Sequence, residues 1–201
     1  MVRCFAVIFF SMLLNAVAQT PCEKLKSLAL PDTTITAAES VPAGLKELQS
    51  APGSPKLSLM LPAYCRVAAV LKPSSDSEIK MEIWLPVETW NGKFQAVGNG
   101  GFAGMISYPA MSSALQEGYA TASTDTGHTG ANALFGIGHP EKVVDYAYRA
   151  VHEMTVKSKA VIATYYGKNP RLSYWNGCST GGRQGLMESQ RYPEDFDGIV
   201  G

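Results

Sequence analysis

Short runs of apolar residues divide the chain into segments that predict strands. Strict alternation of apolar and polar residues over 79–85 is typical of a half-buried strand. Similar short apolar segments over 64–70, 94–97 and 172–176 predict three more strands. The segment 119–124 carries small or apolar residues at nearly every position, which indicates a strand buried on both faces.

Helical spacing dominates the region between the last two of these strands. Apolar residues recur at three- and four-residue steps over 144–165, which predicts one long helix that Asp145 caps and Gly167 ends. A shorter helix is predicted over 183–191, before a strand that begins at Ile199. Alternating strands and helices predict an α/β fold with a parallel-rich sheet and right-handed crossovers.

The first eighteen residues form a targeting segment. A positive start at Arg3 precedes an apolar run over 5–14, and Ala16-Val17-Ala18 is a small-residue cleavage site, so 1–18 is predicted to be a signal peptide. The apolar run is shorter than the roughly 20 residues that span a bilayer. The sequence therefore predicts a secreted, extracellular protein without a membrane partner.

The remaining chain is predicted to hold two parts. The segment 19–63 alternates apolar pieces with proline and serine, and is expected to be an irregular N-terminal wrap. The segment 64–201 carries the α/β pattern. Lys and Arg total 17 against 17 Asp and Glu, so no basic excess exists to neutralise a phosphate backbone and nucleic acid is excluded as a partner.

Secretion changes how the cysteines are interpreted. Once Cys4 leaves with the signal peptide, Cys22 and Cys65 could pair in an oxidising compartment and close a loop worth roughly 4 kcal/mol. Cys178 then has no partner. It is either a buried free thiol or paired with a cysteine outside this chain.

One motif carries candidate chemistry. Gly177-Cys178-Ser179-Thr180-Gly181 is G-x-S-x-G and lies between a predicted strand and a predicted helix, which is the context of a nucleophile elbow in an α/β-hydrolase fold. Ser179 is the candidate nucleophile, and the backbone N–H of Thr180 is a candidate oxyanion donor. The alternative is a glycine-rich turn with an incidental serine.

A glycine-rich loop over 98–104 follows another predicted strand and is the expected source of the second oxyanion donor. Gly101 is the first candidate and Gly100 the second. The same loop matches the G-x-G-x-x-A dinucleotide fingerprint, with Glu117 near the spacing of a ribose ligand. A dinucleotide-binding oxidoreductase is thus an alternative, weakened because 105–109 is expected to break before a helix develops.

The base and acid of a catalytic triad are missing from the expected order. His128, His139 and His152 all precede Ser179, whereas an α/β-hydrolase places its acid and then its histidine after the serine. Asp125 and His128 are better interpreted as parts of one turn. The chain is therefore predicted to be a fragment that lacks the catalytic Asp and His, and it contains no predicted metal site.

With these residues in hand, the sequence resembles the tannase and feruloyl esterase family. The resemblance is carried by 90–94 (WNGKF), 98–104 (GNGGFAG), 123–128 (STDTGH), 149–152 (RAVH), 174–183 (YWNGCSTGGR) and 192–200 (YPEDFDGIV). It implies a secreted serine carboxylic ester hydrolase acting on small aromatic esters, galloyl or feruloyl and other hydroxycinnamoyl esters. Its α/β-hydrolase fold would here be incomplete at the C-terminus.

The resemblance also implies features that lie outside this chain. Cys178 would pair with a cysteine next to the catalytic histidine, and an inserted lid domain would carry the substrate pocket and a calcium ion. No cofactor is expected in the 201 residues themselves. A secreted α/β module without catalytic activity remains the other alternative.

Overall fold

The computed structural model describes residues 19–50, 53–102 and 104–201, so the predicted signal peptide and Cys4 lie outside the described residues. Within them the chain forms a seven-stranded sheet and a separate two-stranded hairpin. The strands are β1 (Thr33–Val41), β2 (Gly44–Leu48), β3 (Leu57–Leu61), β4 (Tyr64–Leu71), β5 (Ile79–Pro86), β6 (Lys93–Val97), β7 (Ala120–Thr124), β8 (Leu172–Asn176) and β9 (Gly198–Val200).

The sheet has an antiparallel half and a parallel half. Its strand order is β1-β4-β5-β7-β6-β8-β9, with antiparallel pairing from β1 to β7 and parallel pairing from β7 to β9. β2 and β3 pair as the hairpin. The predicted α/β class is confirmed, and all five residues of β7 are buried as its apolar pattern predicts. The prediction of a parallel-rich sheet is wrong for the half that holds β4 and β5, because a short turn without a crossover helix joins these two strands and makes them antiparallel.

The predicted long helix is interrupted by a wider turn. The helices are α1 (Tyr108–Gln116), α2 (Pro140–Val144), α3 (Ala150–Tyr166) and α4 (Thr180–Arg191), and a π-helical turn, Asp145–Arg149, joins α2 to α3. Gly167 ends α3 in the left-handed region at φ 69°, as predicted. The prediction that Asp145 caps the helix is wrong, because the chain is already helical there and its carboxylate accepts a hydrogen bond from Arg149 Nε at 2.5 Å.

The sequence analysis also missed α1. A break was expected over 105–109, yet α1 begins at Tyr108 with Pro109 in its first turn. Proline is tolerated there because the first N–H groups of a helix have no intrahelical acceptor. Glu117, the candidate ribose ligand of the dinucleotide alternative, is the C-cap of this helix.

The segment expected to be irregular is instead largely ordered into strands. A short 3-10 turn, Cys22–Ser27, precedes β1, which forms one of the two edge strands of the main sheet, and β2 and β3 follow. The predicted disulfide is present: Cys22 and Cys65 are bonded with their Cα atoms 5.6 Å apart. It ties this segment to β4.

Helices cover both faces of the sheet. On one face α3 buries Val151, Met154 and Ile162 against strand residues that include Phe94 and Trp175. On the other face, α1 residues pack with Tyr64 and Trp84 in a second cluster. None of the helices in the described ranges combines the length and the apolar character needed to cross a membrane.

Candidate active site

The candidate nucleophile stands on a sharp turn between β8 and α4. β8 ends at Asn176 and α4 begins at Thr180, so three residues make the connection. Ser179 has φ 58° and ψ −117°, a positive-φ backbone conformation that residues other than glycine rarely adopt. The residue is exposed to solvent. Strained backbone of this kind clusters at functional sites. The predicted strand–turn–helix geometry is confirmed.

The glycines around Ser179 let three backbone segments touch. A Cβ on Gly177 would lie 2.6 Å from the carbonyl carbon of Gly181, and one on Gly98 would lie 2.6 Å from the Cα of Gly181. Neither position has room for a side chain, because the atoms in the way are backbone atoms. The elbow is therefore packed directly against the start of the glycine-rich loop.

The first turn of α4 leaves donors at the elbow. The N–H of Gly181 bonds to the Cys178 carbonyl at 2.9 Å, and that of Arg183 bonds to the Ser179 carbonyl at 3.1 Å. The Thr180 N–H has no acceptor among the described residues. A helix N-terminus carries partial positive charge, so this end of α4 favours a developing oxyanion.

The glycine-rich loop leads from β6 to α1 beside the elbow. The Gly98 N–H donates to the Asn176 carbonyl at 2.9 Å, which joins the ends of β6 and β8. Gly101 has φ 56° and is exposed, and its carbonyl accepts a hydrogen bond from the Tyr146 hydroxyl at 3.0 Å. Within the described residues, the N–H groups of Gly100 and Gly101 reach no acceptor.

A cavity of about 360 Å³ opens between the elbow and this loop. Gly100 and Cys178 are among its lining residues, and Gly101 is not. The complete lining is Gly98, Asn99, Gly100, Ala110, Asn176, Gly177 and Cys178. Gly100 is thus the candidate donor that faces this space, whereas Gly101 lies at the exposed side of the loop.

The sequence analysis missed Tyr146, which bonds to the glycine-rich loop, and Arg183, which holds the backbone around Tyr146. The π-helical turn carries Tyr146, whose hydroxyl reaches Gly101. Arg183 follows one turn after Ser179, donates to the carbonyls of Tyr146 and Ala147, and places its guanidinium 4.8 Å from the Tyr146 ring centre. π-Helical turns often occur at functional sites, but no sequence pattern marks this one.

His128 holds the glycine-rich loop from the other side. Its Nε2 lies 2.8 Å from the Phe102 carbonyl, its Nδ1 lies 3.2 Å from the Thr126 hydroxyl, and its ring stacks on Phe135 at 3.8 Å. With 6% of its surface exposed, it is enclosed by these partners. The interpretation of His128 as a residue lining a turn is confirmed.

Asp125 also bonds within this turn, as expected. Its Oδ1 accepts hydrogen bonds from the backbone N–H groups of Lys80 and Gly127, each at 2.9 Å. Burial raises the pKa of Asp125 to about 7 because the charged carboxylate loses its hydration. This residue binds the loop after β7 to β5 and does not contact Ser179.

The other two histidines are engaged away from the elbow. His139 lies at the surface with Nδ1 3.0 Å from Asp76. His152, on α3, has its Nδ1 2.7 Å from Asp195 Oδ2 and stacks on the Tyr192 ring at 3.7 Å. None of the three histidines in the sequence is hydrogen-bonded to Ser179.

A cluster of His152, Glu188 and Asp195 forms a second polar site that the sequence did not predict. One potential metal-ligand atom from each of the three residues lies within 4.8 Å of the others, and a histidine with two carboxylates can hold a divalent metal. Glu188 is fully buried and neither of its oxygens has a hydrogen-bond partner. Burial and the nearby Asp195 raise the pKa of Glu188 to about 9, so it carries a proton at neutral pH.

Cys178 is free and exposed beside the nucleophile. The possibility that it is a buried free thiol is therefore wrong, because the elbow turn directs this residue outward along with Ser179. A partner outside the chain remains a prediction.

Comparison with known proteins places this geometry in a family. The model of the tannase and feruloyl esterase family matches residues 65–201. The chain is 43% identical over 192 residues to an uncharacterized esterase of Xanthomonas campestris pv. campestris, covering 94% of this chain and 33% of that protein. It is 43% identical over 148 residues to a probable feruloyl esterase B-1 of Aspergillus fumigatus, covering 74% and 28% of the two chains.

Solved structures agree. The crystal structure of feruloyl esterase B from Aspergillus oryzae superposes with a TM-score of 0.82 at 37% identity, covering 89% of this chain and 36% of that one. The present chain thus spans about a third of the length of the relatives it matches. The family model, the sequence relatives and the shared fold lead to one conclusion: the chain belongs to the tannase and feruloyl esterase family.

Proposed function

We propose that this chain supplies the nucleophile and the oxyanion side of a secreted serine esterase that acts on aromatic esters of the feruloyl or galloyl type. The observation that carries the proposal is the backbone of Ser179, held at φ 58° and exposed at the N-terminus of α4. The names of the relatives support the substrate class. The predicted signal peptide and the Cys22–Cys65 disulfide support secretion.

The chemistry would be acyl transfer through a covalent intermediate. Ser179 Oγ attacks the ester carbonyl carbon while its proton passes to a general base. The carbonyl oxygen becomes an oxyanion that accepts hydrogen bonds from Thr180 N–H and from an N–H of the glycine-rich loop, where Gly100 lines the cavity and Gly101 is the other candidate. Collapse of this intermediate expels the alcohol, and water then releases the aromatic acid.

We place the acid and the base of the triad outside this chain. His128, His139 and His152 are each bonded to partners away from Ser179, so none is in position to accept its proton. A base elsewhere in the whole protein would have to approach the elbow from the exposed side of Ser179. A disulfide from Cys178 would hold such a segment close to the nucleophile.

The direct test is substitution of the nucleophile in the protein as naturally produced. Ser179→Ala is expected to reduce hydrolysis of a feruloyl or galloyl ester at least about 1,000-fold and to abolish labelling by a serine-directed phosphonate. Ser189→Ala, an exposed serine on the same helix, is the matched control and should leave both unchanged. Undiminished hydrolysis by Ser179→Ala refutes the proposal.

The isolated 201-residue chain tests where the base lies. We expect it to turn over no aromatic ester, because it brings no histidine to Ser179. Ser179-dependent hydrolysis by this chain alone would show that the acid and base are within it.

A further inference from the structure

Asn99 and Gln184 form a buried amide pair between the glycine-rich loop and α4. The Asn99 N–H donates to Gln184 Oε1, and Gln184 Nε2 donates to Asn99 Oδ1, both at 3.2 Å. Only 7% of Asn99 and 1% of Gln184 is exposed. These residues are 85 positions apart in sequence, so the pair joins the loop to the helix that follows Ser179.

The orientation of the Asn99 side chain is determined by its other partners. Its Nδ2 donates to the carbonyls of Met105 and Thr124 at 2.8 and 2.9 Å. Two carbonyl oxygens can only accept, so a flipped amide would face them with its own oxygen. Asn99 Oδ1 must therefore face Gln184, and each hydrogen-bonding atom of this side chain is satisfied.

The same pair governs which loop amides remain available. Since Gln184 accepts the Asn99 N–H, that group cannot serve as an oxyanion donor. The next two N–H groups, of Gly100 and Gly101, find no acceptor among the described residues. Gly98 packs directly on Gly181, and the amide pair ties the next residue of the loop to α4.

We propose that Asn99 and Gln184 are positioning residues for the oxyanion site: they hold the Gly100 and Gly101 amides at the correct place relative to Ser179 without touching the substrate. This inference rests on the proposed function. Oxyanion donors act only when they are preorganised where the charge develops, and a misplacement of about 1 Å costs roughly 100-fold in rate. Loss of the pair should therefore weaken binding of the transition state more than binding of the ground state.

Gln184→Met tests the proposal in the protein as naturally produced, because methionine fills a similar volume and makes neither hydrogen bond. We expect kcat on a feruloyl ester to fall about 10- to 100-fold with little change in KM. The affinity for an aromatic trifluoromethyl ketone, which becomes an oxyanion when Ser179 adds to it, should fall in parallel. The affinity for the free aromatic acid should not change.

Gln184→Glu supplies a second measurement that does not depend on the methionine variant folding. A protonated glutamic acid can donate to Asn99 Oδ1 and accept its N–H, whereas the ionised form cannot donate. The ratio of variant to wild-type kcat should therefore be near one at acid pH and fall as pH rises through the raised pKa of this buried carboxyl group. The matched control for the methionine variant is Gln190→Met, at an exposed position of the same helix, which should leave kcat unchanged.

The outcomes separate the inference from the proposed function. A folded Gln184→Met variant with wild-type kcat and wild-type affinity for the ketone overturns the positioning role alone. An equal loss of affinity for the ketone and for the free acid also overturns it, since that shows general disruption of the site. Hydrolysis that persists in Ser179→Ala overturns both proposals.

Discussion

The two halves of α4 hold polar groups under opposite conditions. At its start, Ser179 is exposed on a strained backbone, and the N–H groups of Thr180 and Gly100 have no acceptor among the described residues. Nine residues later, Glu188 is fully buried with both carboxylate oxygens unpaired, beside Asp195 and His152. Both ends lower the free energy of unfolding. At Ser179 the cost is an unfavourable backbone conformation, and at Glu188 it is the electrostatic cost of removing a carboxyl group from water.

The two ends of α4 therefore differ in purpose: the strained backbone exposes a reactive group, whereas the buried carboxyl group lies inside the packed part of the fold. The backbone strain at Ser179 exposes a hydroxyl at the carboxyl end of β8, where substrate can reach it. At the far end Glu188 lies beside Asp195, which is in the turn before β9 and is itself hydrogen-bonded to His152 of α3. We therefore expect substitutions at the two ends to separate activity from stability in opposite ways.

The largest effect is expected where the backbones touch. Gly98→Ala would place a Cβ 2.6 Å from the Cα of Gly181 and 2.9 Å from the Trp175 ring, and should cost about 3 kcal/mol or more of unfolding free energy with loss of esterase activity. Gly100→Ala, with no atom within 4 Å of the added carbon, is the stability control and should cost less than about 1 kcal/mol. Chemical denaturation measures both. Equal stability of the two variants would show that the elbow and the loop are not in contact.

The next effect concerns the buried carboxyl pair. Because the pKa of Glu188 is raised from 4.5 to about 9 in the folded protein, the folded state keeps a proton that the unfolded state releases, and stability falls as pH rises across this window. Glu188→Gln cannot ionise and should be more stable than wild type at pH 9 by on the order of 1–3 kcal/mol, with esterase activity retained.

Thermal or chemical unfolding between pH 7 and 9 isolates this contribution, because Asp125, whose pKa is about 7, titrates mainly below that range. Glu194→Gln, which removes an exposed carboxylate from the same region, is the control and should follow the wild-type pH profile. A Glu188→Gln variant that loses stability with pH as steeply as wild type would contradict the raised pKa.

The smallest expected effect on the free energy of unfolding is at the nucleophile itself. Ser179→Gly and Ser179→Ala both remove the hydroxyl, but only glycine adopts φ 58° without strain. Ser179→Gly should therefore be more stable than Ser179→Ala by about 1 kcal/mol, with both variants inactive. Equal unfolding midpoints for the two would mean that the elbow is not strained.

The sequence predicted those strands and turns that are determined by residues close together in the chain. The strands β4 to β8, the glycine that ends α3 and the G-x-S-x-G turn were all found, since periodicity and glycine placement act over a few residues. The strands β1 to β3 were missed because the prolines and serines of 19–63 were interpreted as marks of an irregular segment, although burial alternates along β2 and β3. α1 was missed because Pro109 was interpreted as a break instead of a first-turn residue.

The sequence by itself determined that a serine would stand on a tight strand-to-helix turn, that Cys22 and Cys65 would pair, and that the chain belongs among α/β proteins. Only the tertiary structure decided that Asn99 meets Gln184 across 85 positions, that Tyr146 reaches the glycine-rich loop, and that His152 turns to Asp195 instead of Ser179. Contacts of this kind depend on how strands are ordered in the sheet and how helices pack on it. No short stretch of sequence contains that information, because each partner is specified only once the backbone has brought it within hydrogen-bonding distance.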